Sequence, residues 1–176
     1  MRLPADATLI VVGAQDSIEG RLSKGGGRRV EANLASLIAA WRKEDLPIVQ
    51  AYLDSAPSAS FKPSAATPVD GEAAIAAGAA GAFFKTEPGS LLEDAGVTTL
   101  VLCGALSAVE QTARDAENLG YRIFIPLDAC WPAASPADPA IARLSREGAA
   151  VVDTAATLSA AAMAKARQRR DAERRR

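Results

Sequence analysis

The feature that most constrains this chain is an alternation. Short apolar runs recur along it with segments of helical periodicity between them: 8-TLIVVGA-14, 47-PIVQAYL-53, 98-TTLVLCG-104, 121-YRIFIPL-127 and 149-AAVVDT-154. Apolarity that is continuous rather than alternating marks strands buried on both faces, as in a parallel sheet. Between the first two runs, 30-VEANLASLIAAWRKED-45 places Val30, Leu34, Leu37, Ile38 and Trp41 on one helical stripe that suits packing on such a sheet. Segment 107–120 predicts a helix with Ser107 as N-cap, Glu110 at capping-box spacing and Gly120 closing it. Segment 138–148 repeats the pattern with Asp138, Pro139 and Gly148, and 87–96 predicts a shorter helix between Pro88 and Gly96. Strands alternating with helices specify βαβ units, hence an α/β fold of three layers, α/β/α, Rossmann-like, on a mostly parallel sheet. The long stretch 54–85, rich in Ala, Ser, Pro and Gly, reads as an irregular excursion from the carboxyl end of the second strand, where ligands bind in such sheets.

The bulk numbers limit the functional classes. A chain of 176 residues, 49% hydrophobic, is sized for one domain with a substantial core. The sequence predicts that domain over 1–164, followed by a basic tail over 165–176. Net charge is −1, but the tail carries seven basic and two acidic residues, a net of plus five that leaves minus six for the rest. Histidine is absent, which removes the commonest general base and the commonest ligand of zinc, iron or nickel. No metal and no cofactor is expected. The two cysteines, Cys103 and Cys130, each end an apolar run and read as buried thiols of a reducing compartment. No leader is evident before the first strand and no apolar stretch approaches the ~18 to 20 residues of a membrane span. A cytoplasmic protein without membrane contact is the expectation.

The order 9-LIVVGAQDS-17, 82-AFFKTEPGSLLEDAGVTTLVLCG-104 and 112-TARDAENLGYRIFIPLDA-129 resembles the isochorismatase-like (cysteine hydrolase) superfamily along roughly residues 8–160. The segment TARDAxxLGY, followed by a strand and Asp-Ala, is the distinctive part. The resemblance implies the Rossmann-like α/β/α fold and membership among nicotinamidases, carbamoylsarcosine amidases and isochorismatases. Amide-hydrolysing members use an Asp at the end of the first strand, a Lys in the middle segment and a Cys at the start of the helix that carries TARDA. The carboxylate takes the thiol proton, the cation favours the ionised partners, and helix N-terminal amides stabilise thiolate and oxyanion.

None of the three is where the resemblance puts it. The Asp position is Gly13, with the family's neighbouring Gln matched by Gln15, and the Lys position falls at Ala77. Lys85 occupies the variable place of Ala-Phe-Phe-x-Thr and reads as a solvated surface lysine. The Cys position is Ala108 counting back from the Thr of TARDA, or Glu110 counting forward from Cys103-Gly104, because the turn is two residues shorter than the family pattern. Glu110, Asp16 and Ser107 are the substitutes the sequence offers. Asp16 reads otherwise as a loop residue, Ser107 and Glu110 as helix-capping residues, and Cys103 as inert packing.

The resemblance places the mouth of a cleft near Gly13, Gln15, Tyr52, Asp54, Phe83, Ala105, Ser107 and Trp131. Two functional readings stay open. In one, the protein is catalytically degenerate and binds a small molecule in the vestigial cleft, or acts as a scaffold or regulatory subunit, alone or beside an active relative. In the other, it hydrolyses a small amide, ester or vinyl ether with Glu110, Asp16 or Ser107. Relatives form dimers and tetramers, so a homo-oligomer is expected. The basic tail lacks interleaved aromatics and reads as a solvated helix end rather than a nucleic-acid surface.

Overall fold

In chain order the elements are β1 (Thr8–Val12), α1 (Gly27–Lys43), β2 (Ile48–Leu53), β3 (Ala73–Ala77), β4 (Thr99–Ala105), α2 (Leu106–Asn118), β5 (Arg122–Pro126), a 3-10 turn (Leu127–Ala129), β6 (Cys130–Trp131), α3 (Pro139–Glu147), β7 (Ala150–Val152) and α4 (Thr154–Arg174). They come from a computed structural model that describes residues 2–4, 6–14, 27–53, 67–77, 82, 92–131, 135, 136 and 138–175. The strands form one seven-stranded sheet in the order β3-β2-β1-β4-β5-β7, with β6 pairing the end of β4, and every registered pairing is parallel. Helices α1 and α4 pack together, as do α2 and α3. Right-handed crossovers put α1, which carries the chain from β1 to β2, on one face of the sheet. They put α2 and α3, which carry it from β4 through β5 to β7, on the other. The expected α/β/α architecture is what the chain forms.

The centre of the sheet follows from the continuous apolar runs: every residue of β1 and β4 is buried. At the carboxyl end Val12 and Gly104 are partners, and a Cβ on Gly104 would sit 2.1 Å from the Val12 carbonyl oxygen. Gly104 also has φ +119°. Only glycine lets the two backbones meet there. Trp41 of α1 is fully buried, and its indole N–H donates to the Ala7 carbonyl at 3.0 Å, which ties α1 to the start of β1.

Each return from a helix to the sheet is closed in the same way. A residue with positive φ is followed by a buried apolar residue whose N–H reaches back five positions. The bonds are Leu46 to Trp41, Val97 to Leu92, Tyr121 to Ala116 and Ala149 to Leu144, at 2.9 to 3.0 Å. This is the Schellman arrangement, with its apolar contact following the left-handed residue. The left-handed residue is Gly96, Gly120 and Gly148 in three cases and Asp45, φ 52°, at the end of α1.

Two expectations are corrected. Ser107 does not cap α2, and Glu110 is not its capping-box partner. The β4 ladder continues to Ala105, paired with Trp131, and the helix begins on the next residue. Ala105 therefore holds the N-cap position without a side-chain bond, Ser107 is the second helical residue with an exposed side chain, and Glu110 is the fifth. The stretch 54–85 is not irregular throughout, since 73-AAIAA-77 pairs with β2 as an edge strand. At the third helix Asp138 accepts from Ala140 N–H with Pro139 in the first turn, as expected. Of segment 87–96, residues 92–94 are helical, and 87–91 lie outside the described residues.

Helix α4 runs through 164 and 165 without a break, so the described part of the basic segment is its second half. Its start is held from two sides: Asp153 caps it through Ala156 N–H at 2.7 Å, and Asp128 Oδ1 accepts from both the N–H and the hydroxyl of Thr154 at 2.8 Å. Asn33 of α1 donates to the Asp128 carbonyl at 2.8 Å and to Oδ2 at 3.1 Å. One aspartate thereby joins the helices of that face to the turn behind β5. Among the described residues no helix is long and apolar enough to cross a membrane.

The edge strand β3 is anchored by an ion pair. Arg42 Nε donates to Glu72 Oε1 at 2.7 Å and its Nη2 to Oε2 at 3.0 Å, while Nη2 also reaches the Thr67 carbonyl at 2.8 Å. Burial pushes the Glu72 carboxyl up, but the hydrogen bonds from Arg42 and from Val69 N–H outweigh it, and its pKa lies below the ordinary value. A depressed folded-state pKa stabilises the fold above the unfolded value and loses that contribution as pH falls through the folded value. Urea unfolding at pH 7 and pH 3 is expected to show that Glu72→Gln is less stable than the parent at pH 7 and loses less stability on acidification. Two backbone changes have opposite expected signs. Asp45→Gly should raise stability by about 0.5 to 1 kcal/mol, the relief of left-handed strain less the glycine's extra chain entropy. Gly104→Ala should lower it by about 3 kcal/mol or more.

Candidate functional site

The strand order reverses between β1 and β4: the chain steps one way from β1 to β2 and the other way from β4 to β5. In open α/β sheets the crevice at the carboxyl ends of such a pair is where ligands bind. Three of the positions picked out by sequence lie along this edge. Gly13 directly follows β1, is buried, has φ 70° and donates its N–H to the Ala51 carbonyl at 2.8 Å. Ala77 is the last residue of β3, buried and in register with Leu53. Ala108 is the third residue of α2 and buried. A glycine and two alanines thus stand at these three places along the edge.

Of the substitutes, Ser107 is exposed on the first turn of α2. Glu110 is half-buried, 4.0 Å from Arg114, and its carboxyl is pushed up by burial and by Asp138 while Arg143 opposes the rise. Asp138 and Arg143 belong to the start and body of α3, so two of the charges that act on Glu110 come from that helix. Asp16, Gln15, Asp54, Phe83 and Lys85 lie outside the described residues. Tyr52, near the end of β2, is buried, and its phenol is pushed up by burial and by the charge of Glu72.

Both thiols are fully buried and free. Burial and the neighbouring Cys130 hold the Cys103 pKa well above its ordinary value. Burial pushes Cys130 up to about 12 even though a Gly104 backbone hydrogen bond opposes it. Thiols so shifted are not nucleophiles near neutral pH. Among the described residues, no three His, Cys, Asp or Glu side chains cluster so as to hold a metal ion.

Trp131 is the one aromatic expected at the mouth that the description resolves beside β4. It lies on β6 opposite Ala105, is buried, and its indole N–H has no hydrogen-bond partner among the described residues. A buried donor left unpaired costs roughly 1 to 3 kcal/mol, and a ligand acceptor would recover it.

Sequence reasoning missed the residue that joins the middle segment to α2. Thr112, fully buried, donates its hydroxyl to the Ala108 carbonyl at 2.6 Å and accepts the Ala82 N–H at 3.0 Å. The threonine of TARDA therefore fixes the backbone just before Phe83 against the helix that begins at the cleft. Its signal in the sequence was a polar residue on a helix face otherwise buried through Ala108, Val109, Ala113 and Ala116.

Comparison with known proteins agrees with this arrangement. The family model described as Isochorismatase domain matches residues 7–156. Streptothricin hydrolase of Streptomyces noursei is 48% identical over 61 residues, 34% of this chain and 22% of that protein. The isochorismatase family protein YecD of Escherichia coli O157:H7 is 42% identical over 57 residues, 31% of this chain and 30% of that protein. The matched segments thus span less than a third of the length of these curated relatives. Among solved structures, an isochorismatase of Pseudomonas putida KT2440 superposes with TM-score 0.76 at 28% identity, over 89% of this chain and 92% of that one. N-carbamoylsarcosine amidase of Thermoplasma acidophilum shares the fold, with TM-score 0.70 at 24% identity over 88% and 97% of the two chains.

Thr112→Val keeps the volume and removes the hydroxyl that serves both Ala108 and Ala82. It is expected to lower stability by about 1 to 3 kcal/mol in urea unfolding.

Proposed function

The chain belongs to the isochorismatase family, and we propose that within it this protein binds a small molecule without hydrolysing it, alone or as a regulatory partner of an active relative. One feature carries the reading: counted along the sequence motifs, the family's base, cation and nucleophile positions fall at Gly13, at Ala77 and at Ala108 or Glu110, and of these only Glu110 can titrate. A catalytic group must lie within hydrogen-bond reach of the reacting atom. Ser107 has no partner base among the described residues, and Glu110 lies 4.0 Å from Arg114 of its own helix, with Asp138 and Arg143 of α3 also acting on it. Replacing three polar groups by glycine and alanine also removes charges that a buried site has to pair or hydrate.

A binding role is supported by Trp131, whose buried indole N–H offers an unsatisfied donor beside Ala105. A ligand presenting a carbonyl or carboxylate oxygen there would gain a hydrogen bond without displacing another. Relatives that carry hydrolase and amidase names supply the test compounds: streptothricin, N-carbamoylsarcosine and isochorismate.

The decisive experiment incubates the purified protein with each compound and follows products by mass spectrometry. No product above the protein-free blank is expected. Turnover that disappears in Glu110→Ala, Asp16→Ala or Ser107→Ala would overturn the reading in favour of a hydrolase with relocated groups. For any compound that binds, Trp131→Phe is expected to weaken binding by about tenfold, the worth of one buried hydrogen bond.

A further inference from the structure

A concavity lies at the amino end of the strands. Residues 2–4 enter β1 from its amino end, Arg122 is the first residue of β5, and the second half of α4 runs beside them. Between these three segments opens a cavity of about 680 Å³, lined by Arg2, Arg122, Arg167, Gln168, Asp171 and Arg175 among others. On α4, positions 164, 168, 171 and 175 recur at helical spacing, so one face of the basic helix end is turned into the cavity. Only that face of the segment read from sequence as a solvated tail contributes.

Four arginines and one aspartate are among the lining residues, in a chain whose net charge is −1. Among the described residues the ion pairs are Arg42 with Glu72, Arg114 with Glu110, Arg143 with Glu147 and Arg169 with Glu44. Among the described residues, none of the four cavity arginines is in an ion pair. Arg167 is set in place by another contact: its Nη2 donates to the Leu3 carbonyl at 2.8 Å, which joins the amino-terminal segment to α4 and leaves the rest of its donor fork unused. Arginines at a helix C-terminus are commonplace because they complement its dipole. That accounts for Arg175, but not for Arg2 and Arg122, which come from elsewhere in the chain.

Unpaired cations gathered around one cavity repel each other until an anion joins them, and guanidinium forks match phosphate oxygens two at a time. The volume falls in the range of small-molecule sites, roughly 300 to 1,000 Å³. A concave site of this size with no aromatic side chain to stack bases suits a compact anion better than a nucleic-acid strand.

We propose that this cavity at the amino edge of the sheet binds a small polyphosphate anion, a short run of linked phosphates held by Arg2, Arg122, Arg167 and Arg175. The phosphate chain is the recognised chemistry, whether free or carried by a nucleotide. The site is separate from the carboxyl-edge cleft and does not depend on what that cleft does.

Isothermal titration at constant ionic strength tests it, with inorganic tripolyphosphate, ATP and adenosine as titrants. Saturable one-to-one binding of tripolyphosphate and ATP is expected, and none of adenosine. Equal affinity for the two assigns the site to the free phosphate chain, and ATP tighter by about tenfold assigns it to the nucleotide. Arg122→Gln and Arg175→Gln, both at exposed positions, are each expected to weaken binding by about tenfold. Arg143→Gln and Arg169→Gln remove the same charge outside the cavity and are expected to change it by less than about twofold. Failure of tripolyphosphate to bind, or equal weakening by the outside pair, overturns the proposal.

Discussion

The rest of this architecture depends on the meeting of two backbones at the ends of β1 and β4. Gly104 lies against the Val12 carbonyl so closely that no side chain fits, and one residue later β4 passes into α2 without a loop. That contact sets how near the two central strands come at the point where the strand order reverses. It also fixes the direction in which α2 leaves the sheet. A longer turn would lift the helix start away from the strand end and leave room for a side chain to be presented there. With no such turn, the first helical residues are drawn toward the core, and Ala108 is buried. The burial of Ala108 and the direct passage from strand to helix thus belong to one local feature of the chain.

Around this centre the helices are positioned by few but well-satisfied polar groups. Asp128 receives Asn33 and Thr154 from two different helices, and Trp41 hangs α1 from the Ala7 carbonyl. Thr112 does the same for the middle segment on the opposite face. Each is a buried or half-buried group whose cost of desolvation is offset by bonds that only this arrangement of elements supplies. They add to stability and also exclude alternative packings of an Ala-rich core in which small side chains discriminate poorly between registers.

Much of the fold was legible in the sequence because its signals are local. Continuous apolar runs marked β1, β2, β4, β5 and β7, the stripe from Val30 to Trp41 marked α1, and the Asp138, Pro139 and Gly148 punctuation marked α3. Strand β3 was hidden because 73-AAIAA-77 is built mostly of a residue with little strand preference, and only pairing with β2 makes it a strand. Helix α4 was legible only at its charged end, since its alanine-rich first half carries no distinct stripe. Ser107 and Glu110 have capping-box spacing, yet the β4 ladder extends to Ala105 and moves the helix start ahead of them. Tertiary pairing overrode a local preference. At the site, Gly13 and Ala77 were picked out by counting along motifs, and the structure places both at the carboxyl edge of the sheet. The Ala82 partner of Thr112 and the Asn33 and Thr154 partners of Asp128 lie 26 to 95 residues away along the chain, and no local pattern could reveal them.

The burial of both cysteines has a practical consequence. Neither sulfur reaches solvent, and both thiols are held in the protonated form. The folded protein therefore behaves toward maleimides and iodoacetamides as though it had no cysteine at all. A single cysteine engineered on the surface would be its only reactive handle, so a fluorophore or spin label could be attached beside the arginine-lined cavity without first removing a native residue.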